Sequence, residues 1–107
     1  MMGLEALTMA EVAEVKNLNG GTLWLGGILG MLSAIGLCEV QFVSVEDDGA
    51  SVFRVIVGGA MVDVVVYSFV DEYHVMVGDD DIGVFVPGRD DKRAEALIRS
   101  ALFAVGS

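Results

Sequence analysis

The stretch from Ser51 to Val70, SVFRVIVGGAMVDVVVYSFV, decides the fold. Two runs rich in Val, Ile and aromatic residues flank Gly58 and Gly59. A glycine pair between two such runs supplies the positive φ that a two-residue hairpin turn requires. Alternation puts Phe53, Val55 and Val57 on one side of the first run and Val62, Val64 and Val66 on one side of the second. The reverse side carries Val52, Ile56, Met61, Val65, Tyr67 and Phe69, interrupted only by Arg54 and Asp63. Strands that are apolar on both sides call for cover on both sides.

The same pattern extends outward from this hairpin. Strands are expected at Cys38–Glu46, Ser51–Val57, Ala60–Val70, Tyr73–Val77 and Ile82–Val86. Their separators are Asp47-Asp48-Gly49, Gly58-Gly59, Asp71-Glu72 and the run Gly78 to Asp81. Connections this short join antiparallel neighbours, so the simplest topology is a meander of about five strands. After Pro87 and Gly88, with Asp90 or Asp91 as cap, the residues Ala94, Leu97, Ile98, Ala101, Leu102 and Val105 keep a three-and-four spacing. This is an amphipathic helix whose stripe belongs on the sheet, with Glu95 and Arg99 paired on its outer side.

Two helices are expected before the sheet. Thr8 and Glu11 form a capping box, Leu7 and Val12 occupy the staple positions, and Asn19, Gly20 and Gly21 end the helix after Leu18. The second runs from Thr22 to Leu37, with Gly26, Gly30, Ser33 and Ala34 as a small-residue face and Gly36 as terminator. No charged residue occurs between Lys16 and Glu39, so a membrane-attached helix through residues 22–37 is an alternative reading of this segment. The segment lacks the basic flanks that orient a membrane span. The whole chain, residues 1–107, then reads as a single α+β domain: an antiparallel sheet of about five strands, two helices before it and one after.

Composition narrows the function classes. The formal net charge is −10, from 16 Asp and Glu against 6 Lys and Arg, which opposes nucleic-acid backbones and anionic lipid headgroups. Direct nucleic-acid binding is not expected, whereas a basic protein partner or a divalent cation suits such a surface. The apolar fraction of 54% exceeds what a small monomer easily hides, which points to a second subunit. The single Cys38 allows no internal disulfide, and no charged segment followed by a short apolar run opens the chain. A cytoplasmic protein with Cys38 in its core is expected.

Motifs for chemistry are sparse. His74 is the only histidine, and neither Asp71 nor Glu72 is well placed along a strand to orient it as a general base. Ser44, Ser51 and Ser68 lack a Gly-x-Ser-x-Gly elbow. The acidic turns Glu46-Asp47-Asp48 and Asp79-Asp80-Asp81 do not follow EF-hand spacing, and consecutive carboxylates in a hairpin diverge. The glycine pairs match no phosphate-binding loop, and Asp90 and Asp91 cancel the basic cluster Arg89, Lys92 and Arg93. No cofactor and no metal is implied. The expectation is a non-enzymatic acidic protein-binding module, an adaptor, chaperone or regulator, homodimeric through Val52, Ile56, Met61, Val65, Tyr67 and Phe69. The alternative is a small enzyme or ligand-binding domain using His74 with nearby carboxylates.

Overall fold

Gly58 and Gly59 adopt φ of +57° and +81°, so Val57 faces Ala60 across a two-residue turn. The computed structural model describes residues 20–107, and in it this hairpin is the centre of a five-stranded antiparallel sheet. Helix α1 spans Gly20–Ala34 and is followed by β1 (Glu39–Val45), β2 (Ser51–Val57), β3 (Ala60–Ser68), β4 (Tyr73–Val77) and β5 (Asp80–Phe85). Helix α2, Asp91–Gly106, closes the order. The strands lie side by side in chain order, the expected meander.

Among the described residues one helix precedes the sheet; the helix expected at Thr8–Leu18 lies outside them. Gly20 and Gly21 are themselves helical, the first described residues of α1. Packing explains the first of these glycines, since a Cβ on Gly20 would collide with the Tyr73 hydroxyl. Gly36 does end α1: at φ +84° it donates to the Ser33 carbonyl, while the Leu37 N–H reaches back to Leu32 at 3.0 Å. These are the two bonds of a Schellman turn.

The face that α1 lays on the sheet is made by Leu25, Ile28, Leu29 and Leu32, with Gly21 and Gly26 among them. The expected small-residue face is therefore only partly buried: Gly30 and Ser33 are half-buried and Ala34 is exposed. Large apolar side chains gain more by burial, roughly 1.5–3 kcal/mol each, and they set the helix rotation. No helix among the described residues is long and apolar enough to cross a membrane.

Both helices lie on one side of the sheet, α1 over β1 to β3 and α2 over β2 to β5. Phe42, Phe53, Val55, Val64, Val66 and Val75 point into the core they share, joined from α2 by Ala94, Ile98 and Leu102. Phe42 and Phe53 meet edge to face with ring centroids 5.4 Å apart. Thr22 of α1 and Ser51 of β2, both fully buried, join their hydroxyls inside this core. Leu97, expected on the inner stripe of α2, is 40% exposed, and the Glu95–Arg99 ion pair is not formed.

Asp80 and Asp81 belong to β5 rather than to a turn, because Val77 faces Asp80 and only Gly78 and Asp79 are needed to reverse the chain. In the same strand pair Val75 faces Gly83 while Met76 faces Asp81, so Ile82 is the extra residue of a bulge. A second bulge makes Val43 the extra residue of β1, between Phe42 facing Phe53 and Ser44 facing Val52. At the β5 margin the Arg93 guanidinium lies 4.7 Å above the Phe85 ring and donates to the Val84 carbonyl at 3.1 Å.

Candidate functional site

Strand alternation sends every second side chain away from the helices, and the register brings these residues into rows. Val52, Val65 and Met76 form one row across β2, β3 and β4. Ile56 stands opposite Met61, and Tyr67 opposite His74, which itself faces Val84 of β5. Neither helix covers this face. Met61 is 63% exposed and Phe69, just past the end of β3, is 55% exposed. Val52, Ile56, Val65 and Tyr67 are half-buried by their strand neighbours.

Two polar pairs stand on this face. Arg54 and Asp63 stand directly opposite each other and meet at 3.3 Å. His74 Nε2 and Asp81 Oδ1 are 2.8 Å apart, and the Tyr67 ring lies 5.9 Å from the imidazole. The partner of His74 is thus Asp81, from the neighbouring strand, and not Asp71 or Glu72. Glu39, opposite Ile56, stands at one corner of the face. The acidic excess of the chain is elsewhere: Glu46, Asp47, Asp48, Asp71, Glu72 and Asp79 are exposed in turns. An apolar field with few charges thus sits within a strongly acidic exterior.

The remaining sequence candidates are dispersed. Ser44 donates to Glu46 at 3.1 Å, Ser51 joins Thr22 in the core, and the buried Ser68 hydroxyl has no partner. None of the three is bonded to His74. Asp48 accepts the Ala50 N–H at 3.0 Å, closing its own hairpin loop. Among the described residues no three His, Cys, Asp or Glu side chains converge in a way that would hold a metal ion. Cys38 belongs to the core cluster, where burial pushes its thiol pKa up.

The turn before α2 is built on two carboxylates, neither of which caps the helix ahead of it. Asp90 reaches back to the Val86 N–H at 2.8 Å and pairs with Arg89 at 3.0 Å and Arg93 at 3.5 Å. The Arg89 hydrogen bond, followed by the Val86 amide, lowers the Asp90 pKa to about 2. Asp91 accepts both the Gly88 N–H and the Trp24 indole N–H at 2.8 Å. Trp24 also packs against Tyr73 and Phe85, with ring centroids 5.1 and 6.0 Å away.

At the opposite end of the sheet, where both helices finish, two clefts of about 290 and 460 Å³ meet at Leu37 and Gly58. Val57 and Phe103 line the first, and Ser33, Cys38, Glu39 and Ile56 the second. No local motif in the sequence announces this groove, because it arises from three distant segments. Comparison of the chain with protein-family models, with curated proteins and with solved structures finds no match.

Proposed function

We propose that this chain is a non-enzymatic protein-binding module that pairs with a second copy of itself through the sheet face that neither described helix covers. The observation that carries the reading is the asymmetry of the sheet: two helices cover one face, while Met61 and Phe69 stand exposed on the other beside Val52, Ile56, Val65 and Tyr67. Burying such a surface stabilises association by roughly 25 cal/mol per Å² of apolar area before the costs of association are subtracted. Charge opposes a like partner least on this face. Two molecules of net charge −10 repel most through their turns, whereas here Arg54 and Asp63 offset each other and only Asp81, bonded to His74, and Glu39 at the corner remain.

The acidic exterior left free in such a dimer suits a basic protein client, as an adaptor, chaperone or regulator would need. A free, buried Cys38 fits a reducing cytoplasm. The enzyme alternative has less support: Asp81 supplies a carboxylate that could orient His74, but neither cleft described above is lined by the pair and no serine is bonded to it. The test is Val65→Arg, read by light scattering with circular dichroism as a check on folding. The wild type is expected as a dimer at micromolar concentration and the folded variant as a monomer. A wild type that stays monomeric at high micromolar concentration overturns the pairing.

A further inference from the structure

We infer that the groove where the two helices end is a docking site for an apolar peptide segment carrying a lysine or arginine. The inference rests on the protein-binding reading but not on the dimer; the groove lies at the end of the sheet beside the β2–β3 turn and shares only Ile56 and Glu39 with the corner of the outer face. Leu37 and Gly58 line both clefts, which makes them two limbs of one groove. One limb is apolar, with Val57 and Phe103 on its walls; Phe103 is 57% exposed on the last turn of α2, off the core stripe. An exposed phenylalanine beside a concave apolar wall is a ready anchor point for a side chain of similar kind.

The other limb is electronegative for two independent reasons. Glu39 contributes a full charge. The C-terminal end of α1, at Ser33 and Gly36, also borders this limb, and α1 has no basic residue in its last turn. A helix C-terminus carries roughly half a negative charge, ordinarily offset by Lys, Arg or His nearby. No basic side chain among the described residues lines either limb. Apolar walls next to this negative limb match a segment with an apolar anchor and a cationic neighbour. The net charge of −10 draws such a segment in from solution.

The probe is an acetylated, amidated tetrapeptide, Phe-Leu-Lys-Leu, set against versions with Glu or norleucine in place of the lysine. Binding is followed by amide chemical shifts of the full chain. The basic peptide is expected to shift Leu37, Glu39, Gly58 and Gly106. Glu39→Lys and Phe103→Ser should each weaken it at least about tenfold, while Leu97→Ser, on an exposed position of the same helix, leaves it unchanged. Equal binding of the Glu peptide, shifts confined to Val65 and Tyr67, or no binding at millimolar peptide overturns the assignment. So does a matching pattern of shifts produced by calcium alone, which would make the groove a cation site. A monomeric wild type that binds the basic peptide in the groove removes the dimer and leaves this inference standing.

Discussion

The indole N–H of Trp24 donates to Asp91 Oδ1 at 2.8 Å, tying the first helix of the described chain to the start of the last across 67 residues of sequence. The same carboxylate oxygen holds the Gly88 N–H, so one side chain fixes both the loop and the helix-to-helix contact. Trp24→Phe keeps a smaller aromatic ring against Tyr73 and Phe85 and removes the donor with part of the packed surface, which should cost at least about 1 kcal/mol. Asp91→Ala releases both bonds and should cost about twice that. Adding Trp24→Phe to Asp91→Ala should then change the urea midpoint less than it does in the wild type, and full additivity would show that the two side chains act independently.

Asp90 gives the chain an acid-sensitive point. Its folded pKa of about 2 lies below the roughly 3.9 of an unfolded aspartate, so the folded state favours the carboxylate. The stability it contributes is complete above about pH 4 and is lost as the pH falls toward 2. Carbon-detected titration of the Asp90 carboxyl should show the low midpoint directly. In Arg89→Ala the midpoint should move up toward the ordinary range. An unmoved midpoint would assign the effect to the Val86 amide and Arg93.

Gly58 and Gly59 share a turn but not a tolerance. Both have positive φ, so alanine at either position costs about 1–2 kcal/mol in backbone strain. A Cβ on Gly59 meets nothing within 4 Å, whereas on Gly58 it would lie 2.6 Å from the Gly106 carbonyl oxygen. Gly58→Ala should therefore be less stable than Gly59→Ala by at least about 1 kcal/mol, because the end of α2 must move. Equal thermal midpoints would mean that the last turn of α2 yields freely.

The buried hydroxyl pair offers a test of the core. Thr22→Val withdraws a partner from Ser51, which is fully buried, and should cost about 1–3 kcal/mol. Ser51→Ala added to it removes the stranded hydroxyl. The double variant should be less destabilised than the sum of the two single changes, as measured by urea unfolding.

The sheet was legible because its signals are local. Gly58-Gly59 between two β-branched runs is a hairpin in almost any context, and the inward set Phe53, Val55, Val57, Val64 and Val66 follows from alternation alone. The outward set was equally legible. What escaped depends on contacts between distant segments. Gly20 looks like a helix stop until Tyr73 is brought against it. Asp81 looks like a turn residue until the bulge at Ile82 sets the register and brings it to His74. The groove has no sequence signature at all, since Leu37, Gly58 and Phe103 meet only when two helices end at the same turn.

The guanidinium on the Val84 carbonyl has a consequence for growth. A sheet extends without limit only when each copy offers two free margins, one to give and one to receive. Here the β5 margin is stoppered by Arg93 and flanked by Asp79, Asp80 and Asp81, while β1 remains at the other side. In a protein so rich in valine strands, that one engaged carbonyl and the carboxylates beside it weigh against growth from the β5 margin.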